Sequence, residues 1–459
     1  MAEKKIEQPN PDKLSPGKLL IWRTAPFSVA ASFIVISYLS IYCTDTLGMP
    51  AALVGTILLA SKVFDGVTDL FAGYLIDRTN TRFGKGRPYD FALIGVWVST
   101  ILMFSVPDFG LVGKSIWVFF AYVFANGVFA TLYNAAQGPY VMRAWPNMRV
   151  ITKTQSYGGA IGTLFTSFVS IGFPIMMRRM AVSTSGWSRV VLMFAIPILI
   201  IGSLRFFFIK EQYEVGLKTA EKIRLKDIVQ VLKVDPYVWV AAIISFLAFV
   251  LSGMHVATYY FTWIVGDIGK YGTLQSLTLF MLTSMFFFPK IIKKYSVSFV
   301  ISWGAISGLI GSIFNFIGGS NMILLAIGFI FTGLAMLPTS YLLPLMVLNC
   351  GTYNEWKGLD RFDGTMGSVR FFMDKVGAGI GSALLGFLLG ASGYNGSAAV
   401  QADSALAMIR ASYSIIPFVI YILILIVIRF YKVDKMLPQI EKDLVERRAA
   451  AAAQGETLS

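Results

Sequence analysis

Apolar runs about twenty residues long follow one another along the whole chain. A run of that length, wound as a helix, crosses the hydrocarbon core of a bilayer. Inside lipid every backbone amide needs a partner within the protein, and a helix supplies one to each. Such runs are placed at 25–47, 51–77, 88–107, 115–142, 152–176, 187–209, 237–266, 273–290, 296–318, 322–348, 366–391 and 408–431. The reading is an all-α membrane protein with twelve transmembrane helices, and the lipid bilayer is its first partner. Composition agrees, because only 14% of the residues are charged where soluble domains carry about a quarter.

The net charge of +14 raises the question of a nucleic-acid partner. Its distribution answers no. With both termini in the cytoplasm, the inner segments hold 29 Lys and Arg and the outer loops hold six. This is the asymmetry that orients membrane proteins. Residues 1–20 are polar and lack the apolar core of a cleavable signal. The expected location is the plasma (inner) membrane, multi-pass, with both termini cytoplasmic. Cys43 and Cys350 fall in helix 1 and at the end of helix 10, near opposite faces, which argues against a disulfide. The single His excludes a Cys/His zinc spacing.

Residues 210–236 interrupt the apolar pattern with charge, and Leu225, Ile228, Val229 and Leu232 at helical spacing predict a short amphipathic helix there. The chain therefore divides into a cytoplasmic segment 1–24, a six-helix bundle 25–209, the central loop 210–236, a second six-helix bundle 237–431 and a cytoplasmic tail 432–459. Two six-helix bundles are the plan of many secondary transporters, which hold substrate near the midplane. A monomer suffices for such a carrier.

A charge at mid-membrane costs from a few to over ~10 kcal/mol, so charged residues inside the runs normally face a cavity and carry function. Asp65 and Asp69, in "LASKVFDGVTDLF", lie four apart and share a helix face, with Lys62 three residues ahead. Two adjacent carboxylates repel, and a bound cation or a proton relieves them. Carboxylate oxygens suit a hard cation, and the Thr68 hydroxyl offers another oxygen. A static ionic network with Lys62 and Lys375 is the alternative. Lys375 lies inside helix 11 beside Asp374, placed either to hold a substrate oxygen or to pair with helix 2. His255, Tyr259 and Trp263 recur every four residues in helix 7 and either stack on a sugar or form an interfacial belt. Helix 4 carries a polar stripe of Asn126, Thr131, Tyr133, Asn134 and Gln137, available to a ligand or to a neighbouring helix.

The stretch "GYLIDRTNTRFGKGRP" resembles the major facilitator loop between helices 2 and 3. Its ending "RFGKGRP", with "FDGVTD" upstream, resembles the glycoside–pentoside–hexuronide:cation symporter family more closely. So do "YCTDTLGM", "LKDIVQVLKVDPY", "YNEWKGLDRFDG" and "DKVGAGIGSALLGFLL", in that order along nearly the whole chain. The resemblance implies the major facilitator fold and alternating-access symport of a glycoside, oligosaccharide or sugar acid with Na⁺ or H⁺. No organic cofactor is implied. In the family two helix-2 acids bind the cation, and these correspond to Asp65 and Asp69. Lys62 and Lys375 correspond to its basic residues in helices 2 and 11. Asp77, Arg78, Arg82, Lys85 and Arg87, with Arg361 in the loop after helix 10, correspond to the inner gate. The chain departs from the family pattern at acids that hold sugar hydroxyls. Helix 1 has no acid before Asp45, and helix 4 has none between Ser115 and Met142. The helix-5 arginine is replaced near Gln155, and Asn349 stands where an acid opens the motif after helix 10.

Two other readings compete. One is a uniporter or exporter of the same superfamily for a non-sugar polar or amphipathic solute. The other, a membrane-embedded enzyme, would need a catalytic cluster, and neither a His-rich box nor a Ser–His pair exists.

Overall fold

The computed structural model describes residues 15–79, 81–145, 148–212, 235–282, 291, 294–359 and 363–453. A few side chains within these ranges, including those of Asp77 and Gln155, fall outside the description. Among the described residues the regular secondary structure is helical, with one isolated bridge between Thr81 and Gly84.

The helices follow the apolar runs. They are α1 Pro16–Thr46, α2 Ala51–Arg78, α3 Ala92–Met103, α4 Leu111–Ala144, α5 Met148–Met180 and α6 Thr184–Phe208. Then come α7 Pro236–Trp263, α8 (Gly269–Gln275 and Leu277–Leu282), α9 Val297–Gly318, α10 Met322–Trp356, α11 Asp363–Ala391, α12 Asp403–Ile428 and α13 Val433–Ala453. Among the described residues nine helices are long and apolar enough to cross a membrane. α2, which carries Lys62, Asp65 and Asp69, is not one of them. Side-chain caps fix several starts. Ser183 accepts from the Gly186 amide, Asp235 from Tyr237, and Asn321 from Ile323, each satisfying an otherwise orphaned N–H.

Several expectations are corrected. α1 starts at Pro16, not 25, because proline is pre-set for a first helical turn and Leu19 and Trp22 are already buried. α7 is not continuous. It breaks at His255, whose φ of 47° is the one positive value at a non-glycine among the described residues. His255 and Tyr259 therefore do not share an unbroken helical row. The amphipathic helix expected in 210–236 and the end of helix 8 lie outside the described residues.

The chain forms two compact units. The first contains α1, α2 from Ala60 onward, α3 to α6 and the Gly269–Gln275 piece. Its cores gather Ala25, Val29, Leu93, Val96, Ala130 and Tyr133, and separately Trp22, Tyr140 and Trp145. The second contains Pro50–Leu59, α7, Leu277–Leu282 and α9 to α13, around Ile244, Ile301, Leu343, Met346 and Ile424. Large side chains such as Phe71, Phe168 and Phe280 stand exposed, which suits contact with lipid.

Candidate functional site: a carboxylate pair and a polar cavity

Asp65 is buried on α2, and Asp69, one turn further, is exposed. The neighbouring α4 winds as a π-helix over Val123–Ala130 and returns to α-helix at Thr131. Such widened turns concentrate at functional sites. This one presses Gly127 against α2, where an added Cβ would stand 3.5 Å from Thr68 Oγ1 and 3.6 Å from Asp65 Oδ1. Thr131 Oγ1 lies 3.2 Å from Asp65 Oδ1, 3.0 Å from Asp69 Oδ1 and 3.1 Å from the Asn126 carbonyl. A hydroxyl has one hydrogen, so it cannot donate fully to all three. With that hydrogen on the Asn126 carbonyl, the hydroxyl joins the carboxylates as another acceptor oxygen. Such an all-oxygen set suits a hard cation. Thr68 Oγ1 donates to the Asp65 carbonyl at 2.9 Å and keeps its lone pairs. Lys62 Nζ stands 3.9 Å from Asp65 Oδ2 and over the Tyr122 ring. Spacing along α2 reveals the acids and the lysine. It cannot reveal the Thr131 bridge, which requires α4 to lie alongside.

The polar stripe of α4 opens on a second feature. A cavity of about 280 Å³ is lined by Trp22, Arg23, Phe33, Tyr133, Asn134 and Gln137 among others. Tyr133, Asn134 and Gln137, three of the five α4 residues singled out in the sequence, are in its wall, and Asn126 and Thr131 are not; Trp22, Arg23 and Phe33 of α1 are additions. Behind Gln137 sits Arg205, fully buried on α6. Its Nε and Nη2 donate to the two carboxylate oxygens of Asp90. Its Nη1 donates to Gln137 Oε1 at 2.7 Å. Trp22, Tyr133 and Tyr140 present ring faces about the guanidinium at 4.9, 5.2 and 4.8 Å.

The basic loop after α2 is folded around an acid that sequence reasoning missed. The main-chain amides of Lys85, Gly86 and Arg87 donate to the Glu211 carboxylate at 2.9, 2.7 and 2.7 Å. Gly84 has φ of 112°, and a Cβ there would meet the same carboxylate at 2.4 Å, so only glycine fits. Arg143 Nε is 4.0 Å from Glu211, and Arg87 Nε donates to the Phe206 carbonyl. The Arg82 guanidinium lies over the Phe83 ring, and Arg78 closes α2. The Asp77 side chain and Arg361 lie outside the described residues. Amide bonds to a charged acceptor contribute about 1.5–3 kcal/mol each. Glu211→Ala is therefore expected to loosen the loop and to raise its trypsin cleavage after Arg82 at least ~10-fold. Equal cleavage in variant and parent, measured on the purified protein, would remove Glu211 from this role.

The remaining residues belong to the second unit. Tyr259 is 1% exposed and meets Tyr394 edge-on at 5.5 Å. Trp263 Nε1 donates to Tyr394 Oη at 2.8 Å. These rings are engaged with the segment after α11, so the open stacking row expected with His255 is not formed in this structure. Asp374 accepts from Ser245 and from Arg370 Nη2, and Lys375 beside it is half-buried.

Comparisons with known proteins accord with this geometry. Residues 26–435 match the family described as MFS/sugar transport protein. The isoprimeverose transporter of Lactiplantibacillus pentosus is 30% identical over 442 residues, covering 92% of this chain and 90% of that protein. The putative glycoside/cation symporter YagG of Escherichia coli K12 is 27% identical, covering 92% of each. Among solved structures, the nucleoside transporter NupG superposes with a TM-score of 0.59 over 88% of this chain and 98% of that one. At 12% identity it speaks to the fold alone. The family match over residues 26–435 and the 30% identity to a relative covered over nine-tenths of both chains place the chain in the major facilitator superfamily, where it belongs to the MFS/sugar transport family and its glycoside–pentoside–hexuronide:cation symporters.

Proposed function

We propose that the protein is a secondary active transporter that carries a glycoside, oligosaccharide or sugar acid together with Na⁺ or H⁺ by alternating access. One observation carries the reading. Asp65 and Asp69 both approach the Thr131 hydroxyl inside a membrane protein of this family. Two carboxylates converging on one hydroxyl are stable with a cation or a proton between them. The isoprimeverose and glycoside/cation relatives support a sugar derivative as cargo. The cavity lined by Tyr133, Asn134 and Gln137 is the proposed substrate site in the first unit, and Lys375 and His255 are separate candidate substrate-binding residues of the second. The protein works as a monomer in the plasma membrane, both termini cytoplasmic, and the Glu211-bound loop forms part of its inner gate.

The test is uptake into proteoliposomes. A panel of neutral glycosides and uronides is offered with a Na⁺ gradient, with a pH gradient and with neither. Accumulation that follows one of the gradients is the expected result. Equilibration without accumulation under every gradient would identify a uniporter instead.

A further inference from the structure

The cavity wall contains a donor whose orientation is not free. Gln137 has an amide oxygen and an amide nitrogen, and turning the group by half a rotation exchanges them. Arg205 removes the choice. A guanidinium has hydrogens and no acceptor, so only Gln137 Oε1 can face Nη1 at 2.7 Å. Arg205 itself cannot turn away. Two of its nitrogens are held by Asp90, it is fully buried, and three aromatic rings surround it. Gln137 Nε2 then gives one hydrogen to the Tyr133 carbonyl at 2.8 Å. Its second hydrogen remains for the cavity.

The Tyr133 ring packs against the Arg205 guanidinium at 5.2 Å and braces the cation that holds Gln137.

We propose that Arg205, clamped on Asp90, is a positioning residue that holds Gln137 as a hydrogen-bond donor, and that Gln137 Nε2 donates to an oxygen of the transported sugar derivative. The oxygen is a hydroxyl, ring or glycosidic oxygen of a neutral glycoside, or the carboxylate of a uronide. The proposal rests on the carrier reading above and on no residue of the second unit.

The experiment is equilibrium binding to the purified full-length protein without any ion gradient, using isoprimeverose and methyl β-D-glucuronide as probes. Gln137→Glu keeps an oxygen for Arg205 and has no hydrogen to give. It is expected to weaken binding of the recognised probe at least tenfold. If the oxygen received belongs to a neutral glycoside, isoprimeverose shows that loss. If it is a carboxylate, the glucuronide shows a loss greater than a hundredfold, because like charges then meet. Should Gln137→Glu fail to fold, Gln137→Met, which is close in volume and also lacks the donor, takes the same test. Arg205→Lys retains a cation for Asp90 and does not span to Gln137. It should raise the substrate KM in exchange three- to tenfold and leave the maximal exchange rate unchanged, a split that a merely structural role would not produce. Parental affinity in the Gln137 variant, or a parental KM in Arg205→Lys, would overturn the proposal. Binding with no gradient-driven accumulation would strike symport and leave this subsite standing. A parent protein that binds neither probe would remove both readings.

Discussion

Asp65→Asn and Asp69→Asn are each expected to abolish cation-driven accumulation, with substrate exchange down a gradient persisting at a reduced rate. The expectation follows from the crowding of oxygens at Thr131. Two carboxylate oxygens stand 3.2 and 3.0 Å from one hydroxyl, and one of the carboxylates is buried. With a single hydrogen to share, the group attracts a positive charge. Lys62, at 3.9 Å from Asp65, supplies part of it when no cation is present. A fixed lysine cannot carry charge through the membrane, whereas a mobile cation can. Each cation that enters with the substrate brings about 2.3 kcal/mol per 100 mV of membrane potential. Coupling further requires the cation to raise substrate affinity, and reciprocity then requires substrate to raise cation affinity. Removing either charge breaks that linkage without emptying the proposed substrate cavity, whose wall is formed by α1 and α4. Counterflow and uphill uptake in the same vesicles separate the two effects. If both variants concentrate substrate under a Na⁺ or pH gradient as the parent does, the acids are structural.

The second large effect is on folding. Arg205 and Asp90 are buried at 0% and 3% exposure, and neither can be solvated if its partner is lost. Removing one member of such a pair typically costs about 3–5 kcal/mol, mostly because the survivor is left as an unpaired buried charge. Asp90→Ala and Arg205→Ala are each expected to lower the melting temperature of the purified protein by at least ~5 °C and to reduce its yield. The double variant Asp90→Leu with Arg205→Met buries no charge and should recover much of that loss. Its substrate affinity should stay weak, since Gln137 is then unanchored. A single variant with the melting temperature of the parent would show that water reaches the pair and that the burial argument fails.

The sequence by itself determined what depends on neighbours along one helix. Apolar run length set the helices, since a bilayer admits little else. The four-residue spacing put Asp65 and Asp69 on one face, and family motifs marked the loop that follows. Charge sorting among the loops needed only counting. What the sequence left open are contacts between segments far apart in the chain. Thr131 lies 62 positions from Asp69, Gln137 lies 68 from Arg205, Asp90 lies 115 from it, and Glu211 lies 124 from Arg87. Periodicity carries no information about which helix lies beside which, so the bridging hydroxyl, the clamped amide and the acid inside the basic loop were invisible. Local irregularities were equally hidden. The π-turn over Val123–Ala130 and the left-handed His255 break the regular spacing on which pattern reading relies, and only the surrounding fold holds a backbone in such conformations.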